Sequence, residues 1–231
     1  MAHWSASRFA HLSKVAGFLA AFLLMLLAIG AAIYLPALQE KFFEKALLST
    51  VDLAALDTDE ASIRAFASDT IRYLAGRRAH WSPTITLCGQ SATEFISQAF
   101  RVHMADVRGW AASGQALLCW GLCAAILCLI AACLGERFPT RAYCWGAALP
   151  LLLMGGVALW GALDFDSLWM ALHRTLIPDG IFSASEPIMR LFPLEAFAAY
   201  LPPVAALFAG LALGVLLLPA LLVPLRRAMN R

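Results

Sequence analysis

Four long runs without a charged residue constrain this chain more than any other feature. No Asp, Glu, Lys or Arg occurs at 15–39, 109–135, 142–163 or 196–225. Each run is longer than the ~20 residues that a helix needs to cross a hydrocarbon core of about 30 Å. The chain is 61% hydrophobic and 14% charged, whereas soluble domains average about 45–50% and roughly 25%. The pattern predicts an all-α polytopic membrane protein and excludes an ordinary soluble enzyme, a disordered chain and a coiled coil.

The predicted transmembrane helices form a single membrane domain over residues 1–231, and they lie at about 15–37, 113–134, 143–163 and 201–223. Lys and Arg near span ends mark the cytoplasmic side. With four spans, one side holds Arg8, Lys14, Arg137, Arg141, Arg226, Arg227 and Arg231. We therefore expect cytoplasmic termini and extracytoplasmic segments at about 38–112 and 164–200. The net charge of +2 gives no indication of a nucleic-acid partner.

The segment 38–112 is too long to be a simple connection. Apolar spacing predicts an amphipathic helix over 59–74, which Gly76 ends. Ser91 and Glu94 form a capping-box pattern, which predicts a second helix that runs almost without interruption into the second span. We expect an extracytoplasmic, interfacial helical subdomain in which three aromatic side chains lie at the membrane surface: Trp81, Phe95 and Phe100.

The segment 164–200 opens with a third amphipathic pattern. Phe165, Leu168, Trp169 and Leu172 share one helical face. This spacing predicts a short helix at the membrane surface, which the sequence Pro178-Asp-Gly180 terminates.

Two histidines are expected at the same membrane depth. His103 lies about ten residues before the second span and His173 about ten after the third. These spans are joined by a short turn and are therefore expected to be antiparallel neighbours. Asp106 and Asp166 lie on the helical faces of the two histidines and could orient their rings. The two histidines are either a catalytic pair or packing residues, and residue patterns alone leave both interpretations open.

At these residues the sequence resembles the bacterial lipoprotein intramolecular transacylase family. The first match is Tyr73-Leu-Ala-Gly76, followed by His103-Met-Ala-Asp106-Val107, which is similar to the family's HMxDV motif. A second block runs from Asp164-Phe-Asp166 through His173, Pro178, Gly180 and Glu186-Pro187 to Leu191-Phe192-Pro193. Phe100-Arg101-Val102 departs from the family, which carries a glutamate upstream of HMxDV. Order, spacing and predicted topology agree over nearly the whole chain.

The resemblance implies a reaction and a set of residues. The substrate is a diacylglyceryl lipoprotein, and its sn-2 acyl chain moves to the α-amino group of its N-terminal cysteine, which gives the lyso-form. His103 and His173 would be the catalytic general acid and base, and the site would lie at the outer leaflet of the bacterial cytoplasmic (inner) membrane. Substrate-binding or supporting roles would fall to Asp106, Asp164, Asp166 and Arg190. The reaction needs no cofactor and no metal, and membrane lipids are the expected surroundings.

Two other functional classes are compatible with the residue patterns. One is a different lipid-ester enzyme, either a hydrolase or an intermolecular acyltransferase, and the other is a non-enzymatic membrane scaffold. A zinc protease is disfavoured because the sequence contains no HExxH motif, and a serine hydrolase because it contains no GxSxG motif. For the three aspartates and Arg190, a structural role in ion pairs between the outer helices is an equal alternative.

Overall fold

The computed structural model describes residues 2–135, 137–177, 180, 182–183 and 185–229. Pro178, Asp179 and Arg231, which the sequence predictions used, lie outside this part of the chain. In chain order the elements are α1 Ala2–Ala37, α2 Glu40–Thr50, α3 Glu60–Leu74, β1 Thr86–Leu87, β2 Gln90–Ser91, α4 Ala92–Phe95, α5 Gln98–Leu134, α6 Thr140–Leu163, α7 Phe165–Leu176, the 3-10 helix η1 Pro187–Arg190, α8 Leu194–Ala198 and α9 Leu201–Met229.

Four helical segments are long and apolar enough to cross a membrane: Phe9–Ala37, Gln98–Leu134, Thr140–Leu163 and Leu194–Pro224. The predicted fold class, a helical membrane protein with four spans, is confirmed. The second span was predicted to begin at residue 113, but its helix, α5, begins fifteen positions earlier. The residues of the HMxDV-like motif therefore lie on the same helix as the second span.

The chain divides into two compact units, and the first comprises Met1–Ala32, Ala116–Leu159 and Ala205–Arg231. Its buried side chains are mostly alanines, whereas large apolar side chains such as Leu117 and Trp120 are exposed. Small residues at helix contacts let backbones approach closely, which is how helices associate in lipid. This unit therefore has the side-chain distribution of a membrane-embedded bundle.

Two buried hydroxyl groups join the helices of the first unit. Tyr143 on α6 donates to the carbonyl oxygen of Val215 at 2.9 Å. Ser13 on α1 donates to the carbonyl oxygen of Ala132 at 2.9 Å. Gly146 lies so close to α1 that a Cβ atom there would overlap the Phe18 carbonyl group.

The second unit comprises Ile33–Gln115 and Trp160–Val204. Its core contains large aromatic and aliphatic side chains, and its fully buried members include Leu47, Ile63, Phe66, Ile71, Leu87, Ile188 and Leu191. The expectation that three aromatic side chains lie at the membrane surface is wrong. These residues, Trp81, Phe95 and Phe100, are all buried in the core of this unit. Their hydrophobic surface is covered by protein because α2, α3 and the segment around η1 form a core of their own.

Helix α3 confirms the first predicted outer helix. The Asp59 carboxylate accepts a hydrogen bond from the backbone N–H of Ser62 at 2.7 Å, and this bond lowers the pKa of the Asp59 carboxyl below its usual value. Gly76, which follows the helix, has a φ of 73°, a left-handed conformation that glycine adopts without strain.

The second outer helix was predicted to run almost without interruption into the second span, and the structure interrupts it once, at residues 96–97. The Glu94 carboxylate accepts hydrogen bonds from the backbone N–H and the hydroxyl of Ser91, at 2.6 and 2.7 Å. The helix that this box opens, however, ends at Phe95, and α5 begins only at Gln98. Ile96, between them, has an extended backbone. The break lets Phe95 and Ile96 both point into the core.

Candidate active site

His103 and His173 lie side by side in the second unit. His103 is in the second turn of α5, and His173 is in the last turn of α7. Their ring centroids are 6.2 Å apart and their planes are inclined by 28°. Both side chains are half-buried. Two imidazoles at this separation can act on neighbouring atoms of one substrate.

The ring of His173 is oriented by the residue one helical turn before it. Its Nδ1 atom is 3.0 Å from the carbonyl oxygen of Trp169, and the Trp169 ring packs against it at a centroid distance of 4.5 Å. A carbonyl oxygen can only accept a hydrogen bond, so in this contact Nδ1 carries the proton of the neutral ring. The lone pair is then on Nε2, which makes Nε2 the basic atom.

The ring of His103 lies among aromatic side chains. Its centroid is 5.7 Å from that of Phe100 and 5.4 Å from that of Phe182. Its Nδ1 atom is buried and has no hydrogen-bond partner in the described part of the chain. A buried N–H without a partner is rarer in proteins than a buried acceptor without one. The neutral ring is therefore better accommodated with its proton on Nε2 and a bare lone pair on Nδ1.

A surface cavity of about 400 Å³ adjoins the two helices. It is lined on α5 by Asp106, Trp110 and Ser113, and on the other side by Leu176 and Ile177. The Trp110 indole N–H donates to the Leu176 carbonyl oxygen at 3.2 Å. Asp106 follows His103 by one helical turn, and Leu176 follows His173 by one turn. The lining of the cavity thus begins within one helical turn of each histidine, and neither histidine is among the lining residues.

Among the described residues, no hydrogen bond or ion pair joins the other predicted supporting residues to the histidine rings. The Asp164 carboxylate caps α7 by accepting a hydrogen bond from the backbone N–H of Ser167 at 3.0 Å. Asp166 is exposed in the first turn of α7, and Arg190 is exposed at the end of η1.

The ion pairs of the described residues involve none of the predicted site residues. They are Arg64–Glu44, Arg64–Glu60 and Arg78–Asp69. Asp106 and Asp166 therefore make no direct contact with a histidine in this part of the chain. The structural alternative, in which Asp106, Asp164, Asp166 and Arg190 pair to fix the outer helices, finds no support among these contacts.

Metal-ligating side chains are dispersed in the part of the chain that the structure describes. No group of three or more His, Cys, Asp or Glu residues there is arranged to hold a metal ion. The candidate catalytic groups are therefore the two imidazoles and the side chains next to them.

Sequence reasoning missed several residues that surround the histidines. Trp169 supplies the carbonyl that orients His173, and its position one turn earlier on the same helix could have indicated this. Gly180 and Phe182 contact His103 from the segment after α7. Gly180 was part of the motif that resembles the transacylases, but only the tertiary contact shows its proximity to a histidine.

Comparisons with known proteins give one consistent result. The profile of the family described as lipoprotein intramolecular transacylase Lit matches residues 15–197. No curated protein sequence matches the chain.

Solved structures of the membrane integral lipoprotein intramolecular transacylase Lit from Bacillus cereus have a similar fold. One has 18% identity and a TM-score of 0.67, with 96% of this chain and 99% of that chain covered. A histidine-to-arginine variant of that enzyme has 18% identity, a TM-score of 0.65, and coverage of 99% and 97%. A histidine-to-alanine variant has 18% identity, a TM-score of 0.65, and coverage of 98% of each chain.

Proposed function

Because this chain belongs to the lipoprotein intramolecular transacylase family, and is therefore a membrane acyltransferase, we propose that His103 and His173 perform its acid–base chemistry. The substrate is a diacylglyceryl lipoprotein whose N-terminal cysteine is linked to glycerol by a thioether. The sn-2 acyl chain moves to the α-amino group of the same cysteine. The product is a lyso-form lipoprotein with one O-linked and one N-linked chain.

The reaction suits an enzyme that positions one molecule. Attack of the amine on the sn-2 ester closes an eight-membered ring: nitrogen, two cysteine carbons, sulfur, two glycerol carbons, oxygen and the carbonyl carbon. Both reacting groups are already tethered, so the enzyme has to hold them in an attack geometry. The half-buried aromatic side chains of Trp169 and Phe182 border the histidine pair. They give the ring-closing conformation an apolar surface on which to pack.

The two histidines are assigned different roles by their hydrogen bonds. His173 donates Nδ1–H to the Trp169 carbonyl, so its Nε2 lone pair serves as the general base. The buried Nδ1 of His103 has no hydrogen-bond partner among the described residues, so we assign its Nε2–H as the donor to the developing oxyanion.

Protons balance in this assignment. The α-ammonium group gives one proton to Nε2 of His173, which releases it to solvent. The amine attacks the ester carbon and a C–N bond forms, while Nε2–H of His103 donates a hydrogen bond to the oxyanion. His173 then takes a second proton from the nitrogen and delivers it to the glycerol oxygen as the C–O bond breaks. The products are an amide and a hydroxyl group, and one proton leaves the site.

Asp106 is proposed to bind the α-ammonium group of the substrate before it is deprotonated. Its carboxylate is exposed at the cavity and belongs to none of the ion pairs of the described residues. A hydrogen bond to a charged group contributes roughly 1.5–3 kcal/mol, so Asp106→Asn should raise KM about tenfold or more. Asp164, Asp166 and Arg190 are proposed to support the site. An unchanged KM in Asp106→Asn contradicts the proposed contact.

The observation that carries the proposal is the proximity of the two imidazoles, with ring centroids 6.2 Å apart. The test is mass spectrometry of lipoprotein N-termini from cells with and without this chain, with the His103→Ala/His173→Ala double variant as the matched control. We expect an acyl chain to move to the α-amino group at constant total mass, and the control to resemble cells without the chain. Loss or gain of an acyl chain would indicate a hydrolase or an intermolecular acyltransferase. Identical N-termini in all cells would indicate a scaffold.

The orientation in the membrane is proposed from the positively charged residues near the span ends. We place the protein in the bacterial inner membrane, with both termini in the cytoplasm and the histidine pair at the outer leaflet. A reporter that is active only in the cytoplasm should work when fused after Arg231. Activity of a reporter that requires the opposite side would overturn the orientation.

A further inference from the structure

Gly180 packs directly against the edge of the His103 ring. It is buried, and its N–H donates to the Ile177 carbonyl oxygen at 2.9 Å. A Cβ atom built on Gly180 would overlap Nδ1 and Cε1 of His103. It would also lie 3.1 Å from the Ile177 methyl carbon Cγ2. A hydrogen atom is therefore the only side chain that fits between the Gly180 backbone and the imidazole.

The requirement for glycine is one of space rather than of backbone conformation. Among the described glycines, Gly76 and Gly89 have a positive φ, and Gly180 does not. An alanine can adopt the backbone of Gly180 without left-handed strain. The cost of a methyl group at this position is therefore its overlap with His103 and Ile177.

We propose that Gly180 is the positioning residue for His103. Gly180 packs on the Nδ1–Cε1 edge of the imidazole, so it fixes the ring plane and leaves the Nε2–Cδ2 edge for the substrate. Because Gly180 offers no side chain to the buried Nδ1, which has no hydrogen-bond partner among the described residues, the contact favours the neutral ring with its proton on Nε2. This inference rests on the proposed function, since it explains how the oxyanion donor is kept in its tautomer and orientation.

The expected consequence is a catalytic defect without a binding defect. A misplacement of about 1 Å at a catalytic group can cost on the order of 100-fold in rate. Gly180→Ala should therefore lower kcat at least about tenfold and leave KM close to that of the parent. The control is Gly156→Ala, because an added Cβ there meets no atom within 4 Å. This control should have the parental kcat and thermal stability.

A double-mutant cycle separates positioning from a general effect on folding. Gly180→Ala should lower the midpoint of thermal unfolding by several degrees, because overpacking a filled site is destabilising. His103→Ala removes the ring that the methyl group overlaps. Gly180→Ala should therefore lower the midpoint much less in the His103→Ala background.

Nitrogen NMR of histidine-labelled protein tests the tautomer. We expect the Nε2–H form of His103 in the parent, and a change in that signal but not in that of His173 on Gly180→Ala. The proposal is overturned by a parental kcat in Gly180→Ala, by an equal loss of stability in both backgrounds, or by an Nδ1–H tautomer in the parent. If the parent makes no lyso-form product, the proposed function fails, and the stability cycle and the NMR signals alone decide whether Gly180 positions the ring.

Discussion

The two units of this protein bury different kinds of side chain. In the first unit most of the residues inside are small, with Met25 and Tyr143 as larger exceptions, and the small ones include Ala20, Ala21, Ala28, Ala125, Ala132, Ala147 and Ala212. Large side chains lie outside, for example Leu152, whose exposed fraction is 73%. In the second unit the large side chains lie inside, and Leu47 and Phe66 have no exposed surface. Leucine, for example, is thus exposed on the first unit and buried in the second.

The difference follows from the medium in which each set of contacts forms. Lipid tails are as apolar as leucine, so helices in a bilayer gain little from burying large side chains and associate through close backbone contact and hydrogen bonds. In water, burying apolar surface drives folding at roughly 25 cal/mol per Å². The second unit has the core that this effect produces, and the proposed active site is built on that core.

Of the substitutions that compare the two units, truncation of a leucine to alanine should lower the free energy of unfolding most, and by very different amounts in the two units. Leu47→Ala removes a fully buried side chain and should lower the free energy of unfolding by about 2–5 kcal/mol. Leu152→Ala, the matched control, removes an exposed side chain and should change it by less than about 0.5 kcal/mol. Thermal unfolding of the purified protein in detergent measures both. Equal losses would remove the distinction between the two kinds of packing.

A methyl group added to a helix contact in the first unit should have the next largest effect. Gly146→Ala places a Cβ atom on the Phe18 carbonyl group, and backbone cannot move aside as a side chain can. The free energy of unfolding should fall by about 1–3 kcal/mol. Gly155→Ala on the same helix has no neighbour within 4 Å of the added atom and is the control. If the two variants are equally stable, α1 and α6 do not approach each other this closely.

The cap of α7 should contribute less. Asp164→Ala removes the acceptor of the Ser167 N–H bond and should cost about 1 kcal/mol. Asp164→Asn retains a capping oxygen and should preserve stability and transacylation. Thermal unfolding and product analysis of both variants distinguish capping from chemistry. An inactive but stable Asp164→Asn protein would assign Asp164 a catalytic role.

Removal of metal ions should have no effect on activity. The proposed steps use only imidazoles and the substrate's own groups, so transacylation should be unchanged in EDTA. Loss of activity in the chelator, with recovery on addition of zinc, would replace the two-histidine reaction with a metal-dependent one.

The membrane-spanning helices and α3 could be predicted because their signals are local. Uncharged runs define the spans, and the apolar spacing of 59–74 with Asp59 and Gly76 at its ends defines α3. The hairpin of β1 and β2 could not be predicted in the same way. Its turn residues, Cys88 and Gly89, both have positive φ, at 49° and 78°. Asn or Asp is the usual first residue of such a turn, and Cys gives no such signal.

Those residues of the site that the order of the spans brings together could be predicted from the sequence. The short turn between the second and third spans was enough to predict that His103 and His173 lie at one depth. Aromatic residues such as Phe100 gave no indication of whether they face lipid or a core, because both surroundings favour them. The contact of Gly180 with His103 is also invisible in the sequence, since it joins two elements that local patterns do not relate.

Histidine substitutions test the two-histidine account most directly. The measurement is the amount of lyso-form product, by mass spectrometry, in membranes that contain equal amounts of the parent, His103→Ala, His173→Ala or the double variant. His80→Ala, which changes an exposed histidine of the same unit, is the control. When two residues act as one catalytic unit, the effects of their substitutions on the rate are not additive. We therefore predict a similarly low level in both single variants and the double variant, with parental activity in the control. Near-parental activity in either single variant at equal expression would contradict the account.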